Sequence, residues 1–446
     1  MSYIAHSWEK IGVPSLANFV THKEGRFSVH VLATDKFRTR HLALKLSRPV
    51  QRETVTESAM LPYLWMEGTA QHPSALEITR YADELFGASV RTFINKRGNR
   101  HVLEVQASAP EEGTVTGAKE VIEKLEDLLL QIASDPALGD RGFLPEHVER
   151  ERGLHERRIQ SVFDDKITYA MERCLEEMCQ GQPEGLARLG YIEDLRKVDK
   201  DRLWQVYQEI LATCDVHMYV VGHVQDVQAT LQRMMGKLHQ AFGQGNAPDT
   251  KPVRALAIRN GDTREVVESE SVQQGKLNLG FRTGVSYGDA EYLPLLVANG
   301  ILGGFPHSKL FMNVREKASL AYYASSRLDG LTGIVAVQTG IEVGNKAQAY
   351  DIILRQVEAL KAGDVTDEEL DFTLRGLRNQ YRQVLDQPMS LTEIHFSGVL
   401  AGIHRSVEDL LDQISAVGKE DVVRAAQTLE LDTVYFLNNQ EVNASA

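Results

Sequence analysis

Apolar and polar residues alternate in several short stretches of the chain. This alternation is typical of a β-strand that buries one face. The stretches predicted to be strands on this basis are residues 29–32, 42–46, 102–106 and 216–221.

Other stretches carry apolar residues at every third or fourth position, which predicts amphipathic helices between the strands. One predicted helix begins near Ser58, and a second spans about residues 116–132. The apolar stripe of the second helix consists of Val121, Leu125, Leu128, Leu129 and Ile132.

The pattern repeats along the chain. Residues 61–68 (LPYLWMEG) and 293–300 (LPLLVANG) share the spacing L-P-x-L-x-x-x-G at an offset of 232, which is 293 minus 61. The strand-like residues 102–106 match 334–338 at the same offset, and a match further upstream follows after a three-residue gap. One offset shared over more than forty residues indicates two copies of one ancestral unit.

These elements predict an α+β fold made of two homologous sandwich halves, each with an antiparallel-rich sheet and packed helices. Hairpin signals such as residues 97–99 (RGN) favour this arrangement over a parallel sheet. The halves are predicted at residues 1–242 and 253–446, joined by a turn-rich linker between them.

Composition narrows the range of partners. A net charge of −13 argues against nucleic acid or an anionic membrane as a partner.

Three cysteines, Cys174, Cys179 and Cys214, cannot form a disulfide framework and fit a reducing compartment. The most apolar segment, residues 292–305, is too short and too glycine-rich to span a membrane, and the first ten residues lack the pattern of a signal peptide. We therefore expect a cytoplasmic protein.

Two segments carry a resemblance to a known family. Residues 57–69 read ESAMLPYLWMEGT, and residues 303–322 read GGFPHSKLFMNVREKASLAY. With the tandem halves, they resemble the pitrilysin/insulinase-type zinc metallopeptidases, especially the processing-peptidase branch, over nearly the whole chain. In active members of that family, H-x-x-E-H ahead of a Gly-Thr pair supplies two zinc-binding histidines and the general base, and a distant glutamate completes the metal site.

Aligned on this motif, the zinc site of the family is missing from the chain. Ala59 and Tyr63 stand where the histidines belong, and Pro62 stands where the base belongs. Alanine has no donor atom, a phenol is a poor substitute for imidazole, and proline cannot take a proton. The distant glutamate corresponds to Arg158, or to Glu156 if the register slips by two residues. The motif H-x-x-E-H does not occur elsewhere in the sequence either, so we expect no metal in this chain.

A rival metal cluster is His147, Glu151 and His155, which would share one helix face. Ligands at i, i+4 and i+8 span about 12 Å along a helix, which is too far for one ion. The surrounding charges favour an ordinary solvated helix.

The second segment keeps the family's other functional pair, Arg315 and Tyr322. In active members, residues of these types bind the substrate backbone and the tetrahedral intermediate. The structural alternative is that Arg315 caps a helix and Tyr322 begins a buried strand. The segment departs from the family pattern in having Lys309 for an arginine, Ser319 for a glycine, and a short glycine loop.

The resemblance implies an inactive, zinc-less subunit of a heterodimeric peptide-processing metallopeptidase. Arg315 and Tyr322 would bind unfolded peptide in trans, and a homologous partner with H-x-x-E-H would hold the only zinc. A homodimer is possible without that partner. The alternative is a structural or peptide-binding scaffold with no role in catalysis. A third hypothesis, a peptidase with relocated chemistry, lacks a G-x-S-x-G motif or a compact Cys/His pair.

Overall fold

The computed structural model describes residues 18–116, 120–140, 142–243, 245 and 251–439. The strands are β1 (Val20–Glu24), β2 (Phe27–Ala33), β3 (Thr39–Pro49), β4 (Ser89–Arg97), β5 (Arg100–Pro110), β6 (Leu138–Gly139), β7 (Gly142–Phe143), β8 (Asp215–Gly222), β9 (Arg264–Glu270), β10 (Gly275–Arg282), β11 (Ala321–Asp329), β12 (Ile334–Ile341) and β13 (Glu430–Asn439). The helices are α1 (Val55–Leu64), α2 (Ala75–Glu84), α3 (Val121–Ser134), α4 (Pro145–Asp164), α5 (Lys166–Met178), α6 (Ile192–Leu195), α7 (Lys200–Thr213), α8 (Val227–Phe242), α9 (Tyr292–Asn299), α10 (Lys346–Lys361), α11 (Asp367–Val384), α12 (Pro388–Ala401), α13 (Val407–Ser415) and α14 (Lys419–Ala426).

Two large sheets share one topology over five strands, and the first sheet has a sixth strand, β1, at its edge. The first has the order β1-β2-β8-β3-β5-β4, and the second has the order β11-β12-β10-β13-β9. In each sheet as described, one neighbouring pair is parallel (β2 with β8, β9 with β13) and the other pairs are antiparallel. The matching sequence segments lie on equivalent elements, α1 with α9 and β5 with β12. The fold therefore confirms two α+β halves with antiparallel-rich sheets.

The four strands predicted from alternation are confirmed as parts of β2, β3, β5 and β8. The turn at Gly98 joins β4 to β5, as its hairpin signal predicts. The second predicted helix begins later than expected, at Val121, because Glu120 before it has a left-handed backbone with φ of 63°. Residues 117–119 and most of the predicted linker lie outside the described residues.

The apolar faces of the strands build the expected cores. In the first half, Val29, Leu44 and Val105 point into a core that also contains Leu61 of α1 and Leu125 of α3. The second half has an equivalent core of its own.

The opposite face of each sheet is also covered, which the strand pattern did not predict. Helix α12 from the second half lies against β3 and covers the polar face of the first sheet. There Lys45 Nζ lies 2.6 Å from both Glu104 and Glu393 carboxylates, and the Lys45 side chain is only 1% exposed. Conversely, α5 packs on β10 and β13 of the second sheet. The prediction of one buried face per strand is thus wrong for the central strands.

None of the described helices is both long enough and apolar enough to cross a membrane. All three cysteines are buried free thiols, and burial raises the pKa of Cys174, Cys179 and Cys214.

Candidate functional site

Helix α1 carries the three positions at which the zinc motif is lost. Ala59 and Pro62 are buried, and Tyr63 is half-buried at the end of the helix. Pro62 has no N–H, so it cannot donate the usual hydrogen bond to the carbonyl of Ser58. The local chemistry is therefore apolar at position 59, inert at position 62 and aromatic at position 63.

Helix α4 brings Arg158 to Tyr63. The guanidinium carbon lies 3.8 Å from the centre of the Tyr63 ring, and the same guanidinium forms an ion pair with Glu151. Glu151 and Arg158 are seven residues apart, which places both on one face of α4. Glu156, the alternative position for the missing glutamate, is exposed.

Burial dominates the electrostatics of α4. Removal of Glu151 from water raises the pKa of its carboxyl to about 7, although Arg158 acts in the opposite direction. Burial lowers the pKa of His155 to about 4, so this imidazole is neutral near pH 7. Its Nε2 lies 2.8 Å from the Leu189 carbonyl and, as the neutral donor tautomer, hydrogen bonds to it.

Two of the three residues of the rival metal cluster have other partners. Glu151 pairs with Arg158, and His155 Nε2 faces the Leu189 carbonyl. Among the described residues, no group of three or more histidine, cysteine or acidic side chains is arranged to hold a metal ion.

The residues at the family's zinc position do not fit zinc. Ala59 offers no donor, and the Tyr63 ring is covered by a guanidinium. Arg158, which is predicted to stand at the third position, is a cation, whereas zinc needs an anionic or neutral ligand. These three residues therefore provide no ligand set for a metal-dependent step.

Arg315 lies in the second half, on a π-helical segment from Phe311 to Lys317. Its side chain is 44% exposed, and its guanidinium carbon lies 4.6 Å from the centre of the Phe311 ring. Arg315 Nε is 3.6 Å from Glu316, an exposed pair that leaves the outer donors accessible. π-Helical turns are rare and occur often at functional sites.

Tyr322 is displayed by a β-bulge. The register of β11 against β12 shifts between Ala321 and Tyr323, which leaves Tyr322 as the extra residue of an edge strand. Bulges redirect side chains, and Tyr322 is 70% exposed. The alternative that Tyr322 begins a buried strand is therefore wrong.

A tight turn connects the two side chains. The N–H of Ser319 donates to the Arg315 carbonyl, and the N–H of Leu320 donates to the Val314 carbonyl, both at 3.1 Å. Ser319 has a left-handed φ of 52°, which explains why a glycine suits this position. No described hydrogen bond or ion pair joins Arg315 directly to Tyr322. Lys309 is buried, with Nζ 3.0 Å from Glu369.

Sequence reasoning missed two neighbours of these residues. One is Glu151 as the ion-pair partner of Arg158, for which the sequence signal is the spacing of seven residues on one helix. Phe311 lies four residues before Arg315, within reach on a helix, but that spacing is common in helices of no special function.

Comparison with known proteins assigns the chain to a family. Residues 197–377 match the family model described as "Peptidase M16 inactive domain". The chain is 36% identical over 431 residues to the "Probable inactive metalloprotease YmfF" of Bacillus subtilis (strain 168), covering 96% of this chain and 99% of that protein. The chain belongs to the pitrilysin/insulinase-type M16 metallopeptidase family and is an inactive member of it.

Two further proteins are similar to the chain. It is 26% identical over 275 residues to the "Antilisterial bacteriocin subtilosin biosynthesis protein AlbE" of Bacillus subtilis (strain 168), covering 61% of this chain and 66% of that protein. A conserved protein from Enterococcus faecalis V583 has a similar crystal structure, with a TM-score of 0.88 and 30% identity over 95% of this chain and 99% of that one.

Proposed function

We propose that the chain is the zinc-less subunit of a heterodimeric peptide-processing metallopeptidase, and that Arg315 and Tyr322 act on substrate bound at the partner's zinc. The observation that carries this proposal is the contrast between the halves. The degenerate positions of the first half are buried or engaged with one another, whereas the second half exposes a guanidinium and a phenol.

The chemistry of the exposed pair suits this role. A guanidinium offers a fixed fork of N–H donors to a peptide carbonyl, and a phenol can donate to an oxyanion. The partner would be a homologous chain with H-x-x-E-H, and the substrate an unfolded peptide. The name of AlbE connects one relative with the biosynthesis of the bacteriocin subtilosin. The buried free thiols support a cytoplasmic location.

The test is turnover of a fluorogenic unfolded peptide by this chain co-expressed with such a homologue. Arg315→Ala should lower turnover by a factor of about 10 to 1,000, because an oxyanion-type donor is lost. Tyr322→Phe should lower it by a smaller factor, since only the hydroxyl is removed. The matched control is Arg375→Ala, which removes another exposed arginine, on α11.

Sedimentation of each variant with the homologue separates loss of function from loss of assembly, and sedimentation of the chain alone tests for a homodimer. If Arg315→Ala assembles normally and turnover is unchanged, the role in trans is wrong and the scaffold alternative is favoured. Hydrolysis by the isolated chain with one zinc bound would contradict both.

A further inference from the structure

The space between α1 and α4 is spanned by two side chains at positions where the family places zinc ligands. Tyr63 comes from α1 and Arg158 from α4, and the guanidinium lies over the phenol ring at 3.8 Å. A cation over an aromatic face is held by the quadrupole of the ring. In an active member of the family, a metal ion would connect these two positions. Here the two side chains contact each other directly.

A buried carboxyl group completes this arrangement. The Glu151 side chain is 2% exposed and pairs with Arg158. A carboxylate removed from water requires a counter-charge or a proton. The neighbouring Arg150 is directed elsewhere, because it forms an ion pair with Glu67. Arg158 thus supplies the positive charge between the two helices.

We propose that the Arg158 guanidinium is a built-in substitute for the metal ion. It takes the place of the cation between α1 and α4 and excludes a divalent ion from that place, even when the missing histidines are restored. The inference concerns the first half alone and does not depend on the proposed role of Arg315.

The physical reason for exclusion is charge as well as volume. A divalent cation at this position would lie beside a fixed guanidinium, which repels it and competes for the same carboxylate. Unlike zinc, a guanidinium attached to the chain cannot be removed by a chelator.

Three chains that differ only at position 158 test the proposal. Each carries Ala59→His and Tyr63→His, combined with the natural Arg158, with Arg158→Ala or with Arg158→Glu. Zinc affinity is measured by competition with a chromophoric chelator, after circular dichroism has shown that each chain is folded. The Arg158→Ala chain is the matched control, since it has the same two histidines but no guanidinium.

We expect the Arg158→Glu chain to hold one zinc and the Arg158→Ala chain to bind zinc more weakly. The chain that keeps Arg158 should bind at least about 100-fold more weakly than the Arg158→Ala chain. Equal affinity with and without the guanidinium would overturn the proposal. A folded Arg158→Glu chain that binds no zinc would overturn it too, because positions 59, 63 and 158 would then not form the metal position.

A second measurement needs no engineered ligands. Arg158→Ala in the natural chain should melt at a lower temperature, and millimolar methylguanidinium should raise that temperature by refilling the place of the side chain. Potassium chloride at equal ionic strength should not. Arg157→Ala, which removes the adjacent exposed arginine on α4, should show no such rescue. Failure of methylguanidinium to stabilise a folded Arg158→Ala chain would contradict the proposal.

Discussion

At the scale of single residues, Ser319 determines the turn between Arg315 and Tyr322. Its φ of 52° is left-handed, and a side chain in that region costs about 1–2 kcal/mol. Glycine relieves this strain but gains about 0.4–1 kcal/mol of freedom in the unfolded chain. Ser319→Gly should therefore raise the free energy of unfolding by about 0.5–1 kcal/mol, measured by urea denaturation. Ser319→Ala keeps the Cβ atom and should give no gain; an equal gain would refute the strain.

At the scale of elements, the contact between β8 and α12 makes stability depend on pH. His217 on β8 is buried and its ring contacts Phe396 of α12, and its Nδ1 lies 3.2 Å from His30 Nε2. Burial lowers the pKa of His217 to about 3, and the same cause lowers the pKa of His30. Between pH 3 and the ordinary value near 6.5, the unfolded chain binds more protons, so stability falls as pH falls.

For His217 alone, this loss reaches about 2 kcal/mol at pH 5. The expected result for His217→Asn is a smaller decrease in unfolding free energy between pH 7 and pH 5 than in the natural chain. Urea denaturation at both pH values measures the difference. The same decrease in both chains would show that His217 does not contribute to the acid sensitivity.

At the scale of the whole molecule, each half contributes a helix that packs on the sheet of the other half. Helix α12 packs on the first sheet, and α5 packs on the second. Lys45 lies at the centre of one contact, between Glu104 of its own sheet and Glu393 of α12. Lys45→Met would leave these carboxylates without their shared cation and should lower unfolding free energy by about 3–5 kcal/mol. The control Lys36→Met breaks an exposed pair with Asp386 and should lower it by less than about 1 kcal/mol. Similar losses would show that the buried network does not hold the halves together.

In the first half, some site positions could be predicted from the sequence and one could not. Positions 59, 62 and 63 could be located because they are fixed by their spacing from Gly68-Thr69, within a single helix. The sequence allows either Arg158 or Glu156 at the distant position, because nothing local determines the register of α4 against α1. The structure brings Arg158, and not Glu156, to Tyr63.

Four strands, two helices, the duplication and the loss of the zinc motif can be predicted from the sequence alone, because each depends on periodicity or on short spacings along the chain. What covers the polar faces of the sheets and what Arg158 contacts depend on tertiary packing between segments that are distant in sequence. Lys45, Glu104 and His217 read as residues that face solvent, since a polar side chain looks the same in sequence whether its partner is water or a residue on α12. From the sequence, Arg158 indicates only that a zinc ligand is missing. The structure adds that its guanidinium contacts Tyr63 and pairs with Glu151.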